Sequence, residues 1–331
     1  MVAYAIRRLL LALLTLVLIT FVVYGLVRAM PGDPAAAELR DSELLLTPRQ
    51  IEELRRSFLL DRHWTVAYLG WLGRVASGDF GRSLHQREPV AALIGRALGP
   101  TLLLAATSLG LAYVLSVPLG VLSARRAGTM GDRALGALLY ALYSVPSYAL
   151  AVLLVLVFSV ELGWLPVSGM RSADHEELSA LGKAQDLFVH MLLPASCYGC
   201  GALAYSTLFV RSTMREVLEQ EFVRAARARG LPETRVIWNH AFRNALVPFV
   251  TLVGLSLPAL LGGSVILEKL FRWPGMGSLF FDAIRTYDYP LVMGLALAYS
   301  VVVLAGNLLA DLLYAVVDPR ISLVRGAYGE R

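Results

Sequence analysis

The chain has 331 residues, of which 57% are hydrophobic and 17% charged, with a formal net charge of +5 and a mean hydropathy of +0.62. That apolar share lies well above the usual share of a soluble domain and excludes one. The excess of arginine falls in short loops beside apolar runs, so a pI near 9.3 reflects membrane topology rather than a nucleic-acid footprint.

A helix that crosses a bilayer needs about 20 mostly apolar residues, because only a helix or a closed barrel satisfies its own backbone there. Six stretches qualify, and no alternating β-barrel pattern accompanies them. The first, Leu9–Val27, follows Arg7 and Arg8. Its apolar run is too long for a signal-peptide core and no small-x-small cleavage site follows, so residues 1–29 are expected to form a cytoplasmic N-terminus and a retained first helix.

Residues 30–98 form the longest polar piece and are expected outside the membrane as an extracytoplasmic insertion between helices one and two. Thr47-Pro48-Arg49-Gln50 reads as an N-cap, a proline at the first helical position and a glutamine at the third, and predicts a helix start. Ile51, Leu54, Phe58 and Leu59 then recur at helical spacing. Asp79-Phe80-Gly81 sits in a glycine-rich turn. His63 and His85 have no nucleophile or carboxylate at a recognisable spacing, so this piece reads as a lid or docking surface, not an enzyme.

The second and third spans, Gly99–Ala124 and Ala134–Val160, are separated by Arg125, Arg126 and Arg133. Pro118 and Pro146 lie inside them near Gly120, Ser144 and Ser147, where a kink would shape a cavity or permit bending. The outer loop 161–186 is polar and carries no motif. The fourth span, Leu187–Val210, holds His190 as its one titratable charge carrier. Cys197 and Cys200 have C-x-x-C spacing without further soft ligands or a βαβ context, and read as two small apolar thiols packed in a helix.

Residues 211–244 carry seven arginines (211, 215, 224, 227, 229, 235 and 243). Thr213-x-x-Glu216 reads as a capping box, which predicts a helix starting there. Gly230 followed by Leu231 and Pro232 predicts its end, with a second helix beginning near Pro232. Leu218, Phe222, Ala225 and Ala226 are expected on one apolar face whose small residues let another backbone approach, and Arg224 and Arg227 on the other. A solvated basic loop explains the arginines alone; a helix–bend–helix docking element also explains the cap, the glycine and the paired alanines.

The fifth span, Ala245–Leu267, contains Pro258, Gly262 and Gly263 and ends on Glu268 and Lys269, expected at the outer interface where charges snorkel. The sixth, Leu291–Val317, contains Asn307 and Asp311 one turn apart. These mark either a polar contact between helices, the plainer reading, or a gate contact lining the pathway. Arg320, Arg325 and Arg331 follow in the tail, residues 318–331. With arginines in all four short segments on one side, both termini are expected in the cytoplasm. The whole reads as an all-α polytopic membrane protein with six transmembrane helices, five of them in a permease core at 99–317.

The arginine-rich segment carries a resemblance. Phe222-Val223-Arg224-Ala225-Ala226-Arg227-Ala228-Arg229-Gly230-Leu231, continued by His240-Ala241-Phe242-Arg243-Asn244-Ala245-Leu246-Val247-Pro248, resembles the EAA loop of permease subunits in ATP-binding-cassette importers, in their dipeptide/oligopeptide/nickel branch. Arg224 stands where the general motif has glutamate, and the glycine-to-proline spacing is longer, both usual in that branch. Further segments are similar at matching positions: Met30-Pro31-Gly32-Asp33-Pro34, Gly78-Asp79-Phe80-Gly81-x-Ser83, Trp273-Pro274-Gly275-Met276-Gly277, Asp288-Tyr289-Pro290, Asp311-Leu312-Leu313-Tyr314 and Asp318-Pro319-Arg320.

The chain has no phosphate-binding loop of its own. Its two lysines, Lys183 and Lys269, are followed by alanine and leucine rather than Ser/Thr and lack the glycine-rich turn. The resemblance implies instead that two separate cytosolic ATPase subunits, carrying ATP and Mg, dock on Phe222, Arg224, Ala225, Ala226, Gly230, Leu231 and Arg235. It implies a second, homologous permease subunit, an extracytoplasmic substrate-binding protein, and a bacterial cytoplasmic membrane. This chain is then a non-catalytic half of a translocation pathway for di- or oligopeptides, with no catalytic residue, bound metal or cofactor of its own. Glu268 is a further pathway candidate. The alternatives are an ion-coupled secondary transporter, for which no internal repeat is visible, or the same importer class carrying nickel or another small solute.

Overall fold

Leucine and valine crowd the first helix, α1 (Val2–Ala29), and most of its large side chains face outward, Leu10, Leu14 and Leu18 among them. The computed structural model describes residues 2–29, 63–246, 248–250, 252–253 and 265–317, with side chains from residue 7 to residue 308. The expected helix start at Thr47, its face Ile51–Leu59, the Met30–Pro34 motif, Pro258, Gly262, Gly263 and the tail 318–331 lie outside the described residues.

The chain divides into two compact units. The first joins described residues of Met1–Thr101 to Pro274–Ala305. Helix α2 (Trp64–Ala76) lies on α1 through an aromatic seam. Phe21 meets Trp64 at 4.9 Å and Tyr68 edge-on at 5.2 Å between ring centroids. The Tyr68 hydroxyl donates to the Val17 carbonyl at 3.0 Å and pairs with the Thr20 hydroxyl, so the ring is buried without an unsatisfied polar tip.

Helix α3 (Val90–Arg125) starts in this unit, which also holds α10 (Met276–Arg285) and most of α11 (Tyr289–Val317). A Cβ on Gly294 would fall 2.4 Å from Val90 Cγ1, so the α3–α11 contact needs the glycine's missing side chain. Asp288, fully buried, caps α11: its Oδ1 accepts from the Leu291 N–H at 3.2 Å. Its Oδ2 accepts from the Ser83 hydroxyl at 2.5 Å and the His85 N–H at 3.3 Å. Two of the resembling segments, the one ending on Ser83 and the one beginning at Asp288, therefore meet in one saturated carboxylate. Asp79 Oδ1 accepts from the Gly81 N–H, and Gly78 and Gly81 both have positive φ, as the expected turn requires.

The second unit joins Leu102–Trp273 to described residues beyond Gly306. Its axis is α6 (Ala180–Leu218), begun by the Ser179 hydroxyl, which accepts from the Gly182 N–H. At 39 residues it is about 58 Å long, roughly twice the hydrocarbon thickness. Helices α3 and α6 approach backbone to backbone at Gly199 and Gly120, as small residues permit where helices pack in lipid. Cys197 is a buried free thiol packed with Leu150, Leu193, Leu267 and Phe271, the small apolar role expected of it.

Two expectations change here. The third span is not one helix: α4 (Met130–Ser144) and α5 (Ser147–Glu161) meet at 105°, because Pro146 supplies no N–H and cannot continue the ladder. The last residues of α5, Val155–Glu161, widen into a π-helix. The charge pair at the end of the fifth span does not snorkel as a pair either. In α9 (Val265–Leu270) Lys269 is exposed, but Glu268 is 1% exposed.

Among the described residues, four helices are long and apolar enough to cross a membrane, and the bent α4–α5 pair would be a fifth. Most of the expected fifth span, Ala245–Leu267, falls on residues outside those described. The described residues are mostly helical, and the one β-bridge among them joins Arg82 to Pro89. The chain is a multi-pass helical membrane protein.

Candidate coupling element

The arginine-rich segment folds as two short helices joined by a bend. Helix α6 runs uninterrupted through Thr213 and Glu216 to Leu218, so the expected capping box does not start a helix. The break comes at Glu219 and Gln220, and Gln220 in extended geometry precedes α7 (Glu221–Ala228). Glu221 in the first turn and Arg227 in the last suit the helix dipole. Gly230 has φ +76 and a Cβ there would meet nothing within 4 Å, so the glycine serves conformation, not space. Pro232 then leads α8 (Glu233–Arg235), which continues as a π-turn over Val236–Phe242.

The buried face of α7 is Val223 and Ala226, not Phe222 and Ala225. Those two side chains sit in a core with Val210, Met214 and Val217 of α6, Val121 and Ala124 of α3, and Val236 and Ile237 after the bend. Burying Val223 alone stabilises the arrangement by about 1.5–3 kcal/mol. Phe222, Arg224, Ala225, Arg229 and Arg235 are exposed, and Leu231 is half-buried against the core. The element therefore has a fixed underside and a free upper face of one ring, one methyl and several cations.

Arg227 spans the bend and forks onto Glu233, Nη2 to Oε1 at 2.9 Å and Nε to Oε2 at 3.2 Å. The guanidinium holds the Glu233 carboxyl below the usual glutamate range. Both side chains are more than a third exposed, so the pair contributes at most about 1 kcal/mol and mainly fixes geometry. Arg224 pairs with Glu221 at 2.9 Å on the open surface.

A residue the sequence reading passed over anchors the underside. Asp132, in the first turn of α4, is 4% exposed. Its Oδ1 accepts from Arg211 Nε at 2.7 Å and the Ser123 hydroxyl at 2.5 Å. Its Oδ2 accepts from Arg211 Nη2 at 2.8 Å and the Gly128 N–H at 2.9 Å. The α3–α4 turn is thus pinned to α6 one residue past Val210, within the core that carries α7. Gly128, at φ +82, and the Thr129 N-cap, whose hydroxyl accepts from the Asp132 N–H at 3.3 Å, are the sequence signals for a turn there.

The other candidates lie on α9 and α11. Asn307 is exposed on α11, and the side chain of Asp311 lies outside the described residues. Glu268 is buried on α9. In the loop expected to carry nothing, Asp186 Oδ2 lies 2.6 Å from His175 Nδ1, and His190 Nδ1 lies 3.1 Å from its Oδ1, a knot that ties the outer loop to the start of α6.

Residues 116–323 match the family described as the binding-protein-dependent transport system inner membrane component. Residues 1–105 match the N-terminal membrane component of the same systems. The chain belongs to this permease family. It is 39% identical over 326 residues to the oligopeptide transport system permease protein AppB of Bacillus subtilis, covering 97% of this chain and 99% of that protein. It is 35% identical over 324 residues, 97% and 99% of the two chains, to the glutathione transport system permease protein GsiC of Escherichia coli K12. The likeness places it among the ATP-binding-cassette importer permeases of the peptide group, and it runs through both units, so the permease reading applies to the whole length.

Proposed function

We propose that this permease forms half of a translocation pathway for peptides and takes its free energy from cytosolic ATPase subunits that dock on α7 and the bend after it. Nearly full-length similarity to oligopeptide and glutathione permeases supports peptides as the substrate class. The observation that carries the coupling is the two-faced helix α7: Val223 and Ala226 root it in the α3–α6 core, while Phe222, Arg224 and Ala225 stand clear on the opposite face. A partner that pushes on such a face moves α6 with it, because Met214 and Val217 share that core.

The orientation follows from charge and length, and the remaining assembly from the likeness to importer permeases. Six spans with both termini in the cytoplasm put Arg7, Arg125, Arg126 and the α7 arginines on one side. The C-terminal turns of α6 then project beyond the bilayer, where an ATPase meets them. A second homologous permease completes the pathway, and a substrate-binding protein delivers from outside. ATP and Mg belong to the ATPase subunits of a bacterial cytoplasmic-membrane complex, and this chain is not itself an enzyme.

The test is purification of the tagged chain from its native membranes in mild detergent. Wild type is expected to bring down ATPase subunits. Ala225→Arg, an exposed position that leaves the fold intact, and Gly230→Pro, which forbids φ +76, are expected to lose them. Retention of the ATPases by both variants would place docking elsewhere.

A further inference from the structure

The break between α4 and α5 lies outside the α7 element, and its surroundings are open. Residues 143–149 are exposed without interruption around Pro146, whose missing N–H leaves the Leu142 carbonyl without its helical partner. The Ser144 hydroxyl turns back onto the Tyr140 carbonyl at 2.8 Å. Tyr140, Tyr143, Tyr148 on this pair and Tyr205 on α6 are each at least half exposed, at 62%, 57%, 50% and 52%. The rings of Tyr143 and Tyr205 stack at 6.4 Å with 28° between planes. Behind them, Leu150 and Ala151 are buried against Leu193 and Cys197, so the break is held rigidly from one side.

Position along the pair suggests what this face meets. Tyr143 lies 13 residues from Met130 and Tyr148 lies 13 residues from Glu161, each about 20 Å along a helix. Tyrosines of an interfacial belt sit near the ends of a span; these cluster at the break in the middle of the apolar α4–α5 pair. Within a span, broken backbone and phenol hydroxyls are tolerated only inside protein or along a water-filled cavity. Residues 134–160 contain no charged side chain, so the face offers flat rings, hydroxyls and the Leu142 carbonyl. That chemistry suits the repeating amide groups of a peptide whatever its side chains, and holds none of them tightly.

Resting on the peptide-importer reading above, we infer that Tyr140, Tyr143, Tyr148 and Tyr205, with Ser147, line the aqueous pathway and contact the backbone of the passing peptide. The test uses the complete importer in native membrane vesicles, in a background where Cys197→Ala and Cys200→Ser remove the native thiols. Tyr143→Cys, Ser147→Cys and Tyr148→Cys are each treated with a water-soluble methanethiosulfonate reagent, with Leu18→Cys on α1 as the lipid-facing control. Thiols in water form the reactive thiolate, so the three are expected to label at least about tenfold faster than the control. Trialanine with the binding protein and ATP is expected to slow that labelling several-fold. Rates equal to the control's overturn the pathway face, and fast labelling indifferent to trialanine overturns the peptide contact. Co-purification of the ATPases, measured on the same vesicles, reads the importer assignment separately.

Discussion

Arg211→Ala is expected to lower the unfolding free energy of the detergent-solubilised chain by about 3 kcal/mol, toward the lower end of the range for a broken buried pair because water reaches part of the arginine. The side-chain exposures are 26% for Arg211 and 2% for Asp132. Removing the guanidinium leaves the carboxylate with the Ser123 hydroxyl and the Gly128 N–H, in a site that cannot readily hydrate it. Asp132→Asn is expected to cost less, since it removes the buried charge as well. The double variant Asp132→Asn/Arg211→Ala is expected to cost less than the sum of the single changes, as required of two groups that act on each other. Thermal or denaturant unfolding followed by tryptophan fluorescence measures all three. Additive single costs would show that the two residues stabilise the protein separately.

The second large effect concerns the α3–α6 crossing. A Cβ at Gly199 would lie 2.7 Å from the Ser108 carbonyl oxygen, and one at Gly120 would lie 2.9 Å from the Thr207 oxygen and 2.6 Å from Val210 Cβ. Backbone atoms cannot rotate aside, so Gly199→Ala and Gly120→Ala each force the helices apart. Each is expected to destabilise by about 3 kcal/mol, at the upper end for overpacking. Gly201→Ala is the internal control. It lies on the same helix with nothing within 4 Å, and alanine there is expected to be neutral or to stabilise by up to about 1 kcal/mol. If Gly199→Ala unfolds no earlier than Gly201→Ala, the close crossing does not hold the unit together. Because Val121 and Val210 flank Gly120 and belong to the core beneath α7, a displaced crossing is also expected to weaken coupling.

What the sequence made legible follows the range of the forces involved. Apolar runs report on solvent, and they located α1, α3, α6 and α11, although α1, α3 and α6 each extend seven to nine residues beyond the apolar stretch at one end or both. Gly230 and Pro232 report on local backbone, and they located the bend. The failures came where a local pattern competed with its surroundings. Thr213 and Glu216 fit a capping box, yet the packing of Val210, Met214 and Val217 carries the helix straight through them. Phe222 looked like a core residue by type, but the phase of α7 is set by Val223 and Ala226. Pro146 gave warning of a kink but not of a 105° turn. Asp132, Asp186 and Asp288 were illegible because their partners, Arg211, His175 and Ser83, lie 79, 11 and 205 residues away in sequence. A lone acid carries no sign of the distant donor that will saturate it.

The central claim is that this chain carries peptides using ATP hydrolysed on other subunits. The most direct measurement is uptake of a labelled tripeptide into proteoliposomes holding this permease, its partner permease and the ATPases, with the binding protein supplied outside. Uptake is expected to require ATP inside, to persist when proton and sodium gradients are collapsed, and to stop when this chain is omitted. Uptake driven by an ion gradient with no ATP present would contradict it and establish a secondary transporter instead.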